Sequence, residues 1–349
     1  MSATMSAAVL TRAGRIELRE VEIPVPGPGE LLVRVAASGI CGSDLATYRG
    51  THPYKKAPIT LGHELAGTVV ATGPGVTGLA AGDSVCAAAF SPCDSCAACR
   101  RAEPHLCSDR SNLSHDGWQG SFADYVILRQ NMTFRLPPGL AAEKGALAEP
   151  LSIGLHAVRL AGTPAHPGVA VLGSGSIGMS CLIAARAAGL GPVVCVDRGE
   201  PKGRIATRLG AAGYVDAGRE DPVSAIAGRL GHAPFVTFVA SGHPGVLRDA
   251  CAVTRPGGTV VVVSYFERPQ EIDLNPFVSR ELTVRFSALS TPRDFADVIG
   301  WLADGTVDPA PLITHRFTLA EADAAMRALD GNGGQVGKVM LRTTTGEQR

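Results

Sequence analysis

The segment Val169-Ala170-Val171-Leu172-Gly173-Ser174-Gly175-Ser176-Ile177-Gly178 decides how the second half of the chain folds. Its first four residues form a continuously apolar run, which is typical of a parallel strand buried on both faces. The Gly-x-Gly-x-x-Gly that follows permits a tight turn, a close approach of the backbone to a pyrophosphate, and close packing of the next helix. Apolar residues then recur at helical spacing as far as Ala188. We therefore predict a dinucleotide site formed by Gly173, Gly175, Ser176, Ile177 and Gly178.

A second strand-like run, Val193–Val196, leads to Asp197, which lies nineteen residues after Gly178. A carboxylate at this distance accepts hydrogen bonds from the ribose hydroxyls of NAD and would repel the 2′-phosphate of NADP. The pattern favours NAD, with Asp197 and Arg198 among the cofactor contacts. Arg198 and Arg204 are basic neighbours that would suit a 2′-phosphate, so NADP is the alternative cofactor. The alternative to a dinucleotide site is that the glycine-rich loop is a β–α turn that binds no ligand.

The rest of the chain shows two different patterns of strand-like and helix-like runs. After residue 150, strand-like runs alternate with helix-like stretches, which is the pattern of a doubly wound α/β sheet. From Ala7 to Leu136, short β-like runs are separated by Gly and Pro, so we predict a mostly antiparallel β domain with long loops. The runs behind these predictions are Leu31–Ala37, Gly67–Thr72, Ala123–Leu128, Val236–Ala240, Thr259–Val263, the amphipathic Phe295–Leu302 and Leu319–Leu329, and a final strand at Lys338–Leu341.

Composition limits the class of protein. The chain has 349 residues, of which 45% are hydrophobic and 18% charged, so two domains with a large buried core are expected. Lys and Arg number 32, and so do Asp and Glu, which argues against nucleic acid binding by bulk charge. No apolar run approaches the ~20 residues that span a bilayer, so we expect no membrane partner. With no signal-peptide pattern and an odd number of cysteines, nine, we expect a cytoplasmic protein with reduced thiols.

Four cysteines lie within one loop at the spacing Cys-x2-Cys-x2-Cys-x7-Cys, namely Cys93, Cys96, Cys99 and Cys107. Four thiolates brought together in this way suit tetrahedral zinc with no open position, which is a structural site. All-cysteine ligation also suits an iron–sulfur cluster, and a group of free thiols is the remaining alternative. The spacing favours structural zinc.

A second, mixed set of metal ligands is spread further along the chain. Cys41 lies in Gly39–Asp44, His63 and Glu64 follow Gly62, and Glu149 precedes Pro150. One thiolate, one imidazole and a carboxylate can hold zinc and leave a position for water or substrate. Taken singly, each of these residues also has an ordinary structural explanation. Their spacing alone does not decide between a metal site and separate structural roles.

A resemblance to a known family covers almost the whole chain. It rests on several motifs that follow one another in the same order as in that family. They are Gly39–Asp44, Gly62-His63-Glu64, Ala81-Gly82-Asp83, the four-cysteine loop, Ala148-Glu149-Pro150-Leu151, Gly173–Gly178 with Asp197, Arg255-Pro256-Gly257-Gly258 and Gly337-Lys338-Val339. In these motifs the sequence resembles the zinc-dependent medium-chain dehydrogenase/reductase family, in particular its polyol, threonine and idonate dehydrogenase branch.

The resemblance implies a fold with two domains. Residues 1–152 and 290–349 would form a GroES-like catalytic β domain that carries both zinc sites, and residues 153–289 a Rossmann NAD-binding domain. The active site would lie in the cleft between them. It also implies a homo-oligomer, either dimer or tetramer, with the strand around Leu282–Phe286 as a pairing edge.

The resemblance also implies roles for the mixed ligand set. Catalytic zinc would be held by Cys41, His63 and an acid, either Glu64 or Glu149. Together with the four-cysteine site this makes two zinc ions per chain. Zinc would lower the pKa of a bound alcohol, and hydride would pass to the nicotinamide.

Residues near Cys41 complete the implied site. Asp44 would orient the ring of His63, and Ser43 would bind the substrate hydroxyl and begin a proton relay. Many relatives have a histidine two residues after this aspartate, where this chain has Ala46, so the proton would leave through water, Tyr48 or another group. We predict Tyr48 and Trp118 as walls of the substrate pocket.

The implied activity is NAD-dependent oxidation of a secondary hydroxyl of a polyol, sugar, amino sugar or cyclitol, in keeping with a secondary-metabolite pathway. Leu289-Ser290 stands where sorbitol-type relatives have an Arg-Tyr pair, which slightly favours a cyclic or amino-bearing substrate. A threonine or simple-alcohol dehydrogenase is the alternative within the same class. From a different class, the alternative is a non-catalytic NAD-binding scaffold or sensor, which the retained ligand set disfavours.

Overall fold

A computed structural model of the chain describes residues 3–162, 168–331 and 336–343. Its strands, in chain order, are β1 (Thr4–Arg12), β2 (Arg15–Glu22), β3 (Glu30–Gly39), β4 (Ile59–Thr60), β5 (Glu64–Thr72), β6 (Ser84–Ala87), β7 (Phe90–Ser91), β8 (Ser111–Asn112), β9 (Tyr125–Arg129), β10 (Thr133–Arg135), β11 (Val169–Leu172), β12 (Val193–Asp197), β13 (Gly213–Asp216), β14 (Val236–Val239), β15 (Thr259–Val262), β16 (Thr283–Phe286), β17 (Ile313–Thr318) and β18 (Lys338–Arg342). Its α-helices are α1 (Gly42–Tyr48), α2 (Ala97–Arg100), α3 (Ala142–Ala146), α4 (Ala148–Ala161), α5 (Ser176–Ala187), α6 (Glu200–Arg208), α7 (Pro222–Leu230), α8 (Val246–Val253), α9 (Asn275–Ser279), α10 (Pro292–Asp304) and α11 (Ala322–Gly331).

The second half of the chain folds around a six-stranded parallel sheet in the order β13-β12-β11-β14-β15-β16. Strands β11, β14 and β15 are buried along their whole length, because helices cover both faces of the sheet. The predicted doubly wound α/β sheet is confirmed. Strand β16 forms one edge, and all four of its residues are exposed.

The first half forms antiparallel β layers. Strand β3 is central, because it pairs with β5, β9 and β18. The last strand, β18, therefore returns from the far end of the sequence into the sheet that contains β3, and it also pairs in parallel with β17. A smaller sheet of β2, β1 and β4 packs beside it. This arrangement confirms the predicted GroES-like β architecture beside a Rossmann sheet.

Helix α4 joins the two sheet systems. It packs on α5, and a Cβ at Gly154 would collide with the backbone of Ser180, so glycine lets the two helices approach closely. The helix also packs against α10, where Arg159 of α4 forms an ion pair with the buried Asp294. Helix α4 thus contacts strands of both sheet systems, β5 and β6 of one and β15 of the other.

Among residues 3–162, 168–331 and 336–343, no helix has both the length and the apolar character needed to cross a bilayer.

Candidate active site

Strand pairing brings the mixed ligand set together. Cys41 is the residue before α1, directly after β3, whereas His63 and Glu64 stand at the start of β5. The register of the two strands places Gly39 opposite Glu64. Glycine is required at 39, because a Cβ there would collide with the Glu64 carboxylate. As a result, ligand atoms of Cys41, His63 and Glu64 lie within 4.8 Å of one another.

Asp44 holds this group in place. Its carboxylate accepts hydrogen bonds from the backbone N–H of Cys41 at 3.0 Å and of Gly62 at 3.3 Å, and lies 3.5 Å from Nδ1 of His63. Burial opposes ionisation of Asp44, but the neighbouring His63, the charge of Lys55 and the N–H group of Cys41 outweigh it and lower its pKa to about 2. Because Nδ1 of His63 faces Asp44, Nε2 is the nitrogen available to a metal.

Glu64 is paired with a lysine that comes from the other end of the chain. Nζ of Lys338 lies 2.7 and 2.6 Å from the two carboxylate oxygens of Glu64, and it also donates to the carbonyl of Ile40 at 3.2 Å. Both side chains are almost completely buried. The lysine is the first residue of β18, so the strand order of the sheet delivers it to this point.

Glu149 lies in the first turn of α4 and is buried, but within the described part of the chain it does not belong to the close group of ligand atoms. Burial raises its pKa to about 7, against the opposing effect of His63. Its charge is also felt by Lys338. Glu149 is therefore near the ligand group as a carboxyl poised to hold or release a proton near neutrality.

The residues present fit a zinc ion. Thiolate, imidazole and carboxylate are the donors that zinc takes in proteins. Burial would lower the pKa of His63, yet the charges of Asp44 and Cys41 raise it well above its ordinary value, so the negative charges around the ring favour a cation there.

The four-cysteine loop forms a compact second group, in which the sulfur atoms of Cys93, Cys96, Cys99 and Cys107 lie within 4.8 Å of one another. The backbone N–H of Cys96 donates to the sulfur of Cys93, and that of Cys93 to the sulfur of Cys107, both at 3.3 Å. Backbone N–H donation also lowers the pKa of Cys96 to about 6. These N–H groups stabilise thiolates, as a closed zinc site requires.

The glycine-rich loop has the geometry expected of a dinucleotide site. Gly173 has a φ of +99°, and a Cβ at Gly178 would collide with the carbonyl of Gly173. Around Gly175, by contrast, nothing lies within 4 Å of the position that a Cβ would take. Ser176, the first residue of α5, has a buried hydroxyl without a hydrogen-bond partner among the described residues. Open space and unused donors at this helix start fit a pyrophosphate.

Asp197 ends β12 beside this loop. One of its oxygens accepts from the backbone N–H of Ser174 at 2.7 Å and from Nζ of Lys202 at 2.9 Å, and the other from the backbone N–H of Arg198 at 2.7 Å. The side chain of Arg198 is exposed. The carboxylate is thus fixed at the edge of the loop, with part of its charge offset by Lys202.

Comparison with known proteins agrees with this geometry. Residues 27–138 match the family model described as "Alcohol dehydrogenase GroES-like domain", and residues 176–304 match "Zinc-binding dehydrogenase". The L-idonate 5-dehydrogenase of Vitis vinifera is 32% identical over 344 residues, which cover 96% of this chain and 94% of that protein. The chain belongs to the zinc-dependent medium-chain dehydrogenase/reductase family.

Two further members of the family are similar to this chain over almost their whole length. The sorbitol dehydrogenase of Bacillus subtilis is 32% identical, with 93% of this chain and 94% of that protein covered. The crystal structure of a putative zinc-binding dehydrogenase from Sinorhizobium meliloti bound to NADP superposes with a TM-score of 0.90 at 32% identity, and the match covers 98% of this chain and 100% of that one.

Tyr48, one of the two residues predicted to line the substrate pocket, is buried in a core cluster instead. Its ring packs in a core cluster with Leu10 and Ile16, and its hydroxyl donates to the carbonyl of Gly14 at 3.0 Å and to Asp323 at 3.1 Å. The prediction of Tyr48 as a pocket wall and proton exit is wrong, because helix α1 turns this side chain toward α11.

Trp118 is half-buried, and its indole N–H donates to the carbonyl of Ile127 at 2.9 Å. The guanidinium of Arg129 lies 4.7 Å from the ring centroid. Its turn also contains His115, with which it forms an isolated bridge. A pocket role for Trp118 stays a prediction.

Two lysines of the site carried no strong sequence signal. Lys338 was visible only as part of a family motif, and Lys202 follows Asp197 by five residues. Its position five residues after Asp197, the acid at the end of a strand, is the sequence feature that would have indicated Lys202. Ser290 stands in the position where sorbitol-type relatives have their Arg-Tyr pair. Its hydroxyl shares a hydrogen bond of 2.8 Å with the hydroxyl of Ser152 in α4, so two small hydroxyl groups fill that place.

Proposed function

We propose that the protein is a zinc- and NAD-dependent dehydrogenase that oxidises a secondary hydroxyl of a polyol or sugar to a ketone. The observation that carries the proposal is the convergence of Cys41, His63 and Glu64 in a chain that also forms a dinucleotide loop. Family membership supports the reaction class. Amino sugars and cyclitols belong to the same substrate range and enter the test below.

The chain's own residues supply binding, orientation and proton handling. A zinc ion held by Cys41, His63 and Glu64 would polarise the alcohol oxygen. Asp44 keeps the His63 ring in the orientation that presents Nε2. Ser43, in the first turn of α1, accepts the hydroxyl proton and passes it to solvent. Glu149, buried in the first turn of α4, would either join the zinc ligands or hold the water bound there before substrate.

We assign NAD as the preferred cofactor and two zinc ions per chain. Asp197 supports the cofactor assignment, since its carboxylate stands where the adenosine ribose would bind and is only partly offset by Lys202. The second zinc is assigned to the four-cysteine group. We place the division between the domains within α4 near residue 152 and again near residue 290, and we place the enzyme in the cytoplasm.

Replacement of Asp197 by serine is expected to shift the cofactor preference toward NADP by about 100-fold in the ratio of kcat/KM values. The variant removes the repulsion between the carboxylate and a 2′-phosphate and leaves Lys202 and Arg198 as phosphate partners. Steady-state kinetics with both cofactors measure the ratio. Asp216→Ser, at the end of the adjacent strand β13, is the matched control and should leave it unchanged. Equal use of both cofactors by the unmodified enzyme would contradict the assignment of NAD.

We also propose a homodimer that pairs through β16. This edge strand offers unpaired backbone groups, and it ends in the strongly exposed Phe286, while Val278 of the preceding helix α9 is exposed to the same extent, 74%. Exposed apolar residues along an open strand edge favour pairing with a second copy about a two-fold axis.

Phe286→Asp is expected to convert the dimer to a monomer in light scattering coupled to size-exclusion chromatography. A charge at this position would be buried without a partner at the pairing edge, which opposes association. Val25→Asp changes an equally apolar and exposed residue outside this edge and should leave the mass unchanged. A dimer that persists in Phe286→Asp would place the interface elsewhere.

The activity is tested by NADH formation from purified enzyme and NAD across simple alcohols, linear polyols, threonine, aldoses, amino sugars and cyclitols, together with a zinc count. We expect turnover of a polyol or sugar and two zinc ions per chain. Turnover of threonine alone would move the enzyme to the alternative substrate class. A single zinc per chain with no turnover anywhere would favour the non-catalytic scaffold.

A further inference from the structure

Three aromatic rings form a row on two loops beside the candidate zinc site. Tyr54, between α1 and β4, packs edge-on against His52 with the ring centroids 4.6 Å apart. On its other side it packs edge-on against His115, between β8 and β9, with the centroids 5.3 Å apart. Neither contact is a parallel stack, and Tyr54 is 56% exposed. Part of the tyrosine ring is therefore open to a ligand.

The first loop is anchored to α1, the helix that begins directly after the zinc ligand Cys41. The backbone N–H of His52 donates to the carbonyl of Ala46 in this helix at 3.1 Å. The backbone N–H of Lys55 donates to Nδ1 of His52, also at 3.1 Å, which fixes the imidazole ring. These two contacts hold the loop, and Tyr54 within it, against α1.

The second loop is anchored to the residue that precedes the zinc ligand His63. The hydroxyl of Ser114 donates to the carbonyl of Gly62 at 3.0 Å. A Cβ at Gly120 would collide with that hydroxyl and with the same carbonyl, so glycine lets the loop close tightly here. Consecutive Cα atoms are about 3.8 Å apart, so His115 lies one residue from this contact. The ring row thus connects the segments that carry two of the zinc ligands.

The backbone on both sides of His115 is held in a sparsely populated conformation. Ser114 and Asp116 both have left-handed backbone, with φ of +61° and +49°. The ring itself is fixed as well, because Nδ1 of His115 lies 2.9 Å from the carboxylate of Asp116. Residues other than glycine keep this conformation only where the surroundings hold it, and such positions cluster at ligand clamps and active sites. The loop geometry therefore favours a binding role.

Tyr54 and His52 present neutral aromatic surface. Burial lowers the pKa of His52 to about 4, so its ring is uncharged at neutral pH. The face of an aromatic ring is electronegative and attracts C–H groups that neighbouring oxygen atoms have made electropositive. A sugar or cyclitol ring holds several such C–H groups on one face, whereas an open polyol chain does not. A rigid ring also loses less conformational freedom on binding than an open chain does.

We propose that Tyr54, between His52 and His115, is a stacking platform for the ring of a cyclic sugar or cyclitol whose secondary hydroxyl is oxidised at the zinc site. The inference rests on the proposed dehydrogenase function and narrows its substrate class to cyclic polyhydroxy compounds. Tyr54 contacts the carbon face of the ring and not the reacting oxygen. It therefore sets the choice of substrate and leaves the chemical step to the zinc site.

The test compares three neutral ligands: methyl β-D-glucopyranoside, which is a locked sugar ring, myo-inositol, which is a cyclitol, and sorbitol, which is an open chain. Their dissociation constants are measured by calorimetry on the zinc-loaded, NADH-loaded enzyme, in which none of them is oxidised because the cofactor is already reduced. The variants are Tyr54→Ala, which removes the ring, and Tyr54→Phe, which keeps it. Leu18→Ala, which shortens a 49% exposed apolar side chain on β2, outside both loops, is the matched control.

We expect at least one of the two ring compounds to bind about 10-fold more tightly than sorbitol. The glucopyranoside and inositol arms distinguish a sugar from a cyclitol. The advantage should vanish in Tyr54→Ala, persist in Tyr54→Phe and be unchanged in Leu18→Ala. The proposal is overturned if neither ring compound binds better than sorbitol, or if Tyr54→Ala weakens all three ligands equally, as a purely structural role would.

The same proteins separate the platform from the dehydrogenase function. Cys41-dependent oxidation of sorbitol, with no preference for either ring compound, would overturn the platform and keep the dehydrogenase function. A ring preference that depends on Tyr54, with no NADH formation from any of the three compounds and no zinc lost in Cys41→Ala, would keep the platform and overturn the dehydrogenase function.

Discussion

Replacement of Cys41 by alanine lowers kcat/KM for NAD-linked alcohol oxidation by at least about 1,000-fold. Loss of the thiolate leaves His63 and Glu64 as an incomplete ligand set, and polarisation of the alcohol oxygen by a metal accounts for several kcal/mol of transition-state stabilisation. The variant should retain one zinc ion per chain, in the four-cysteine group, and should bind NADH as the unmodified enzyme does. Kinetics, metal analysis and NADH fluorescence measure the three properties.

The control for this prediction is Cys181→Ala. Cys181 is also a free cysteine, but it is buried in the core and burial raises its pKa to about 12, so it serves as packing and not as a ligand. It should keep both zinc ions and activity within a few-fold of the parent. Two zinc ions and near-normal turnover in Cys41→Ala would refute the proposed catalytic site.

Lys338→Met destabilises the protein by about 3–5 kcal/mol. Removal of one partner leaves the Glu64 carboxylate buried without its counter-charge, which is far more costly than removal of the whole pair. The double variant Lys338→Met/Glu64→Gln should recover most of that loss, since no uncompensated charge is left. Urea denaturation of the zinc-free protein followed by circular dichroism measures the differences, because a zinc ion held by Glu64 would itself compensate the carboxylate.

A surface ion pair provides the comparison for Lys338→Met. Lys144 pairs with Asp308 at 2.9 Å, but both side chains are substantially exposed, so Lys144→Met should change stability by less than about 1 kcal/mol. Equal effects of the two lysine substitutions would show that Lys338 is not the group that compensates the Glu64 carboxylate.

The features that were predictable from sequence are those encoded locally. The glycine-rich loop is one, because its motif occupies six consecutive residues, with a left-handed turn at Gly173 and close packing of Gly178 on the carbonyl of Gly173. The four-cysteine group is another, since its ligands lie in a single loop. Alternating buried strands and helices predicted the doubly wound sheet, and the structure and family comparison confirm it.

The features that sequence analysis missed depend on contacts between distant segments. Lys338 meets Glu64 across 274 positions of sequence, and only the pairing of β18 with β3 brings them together. Tyr48 seemed close to the site in sequence, yet its direction depends on how α1 packs against α11. No local pattern specifies either contact.

The metal ligands show the same division. Cys41, His63 and Glu64 are visible in the sequence as residue types that bind zinc. Only the pairing of β3 with β5 brings their ligand atoms within 4.8 Å of one another. Local chemistry in the chain thus established the family, the cofactor loop and the metal donors. The geometry and the charge balance of the metal site arise only when strands far apart in sequence pair, because electrostatic contacts depend on distance in space.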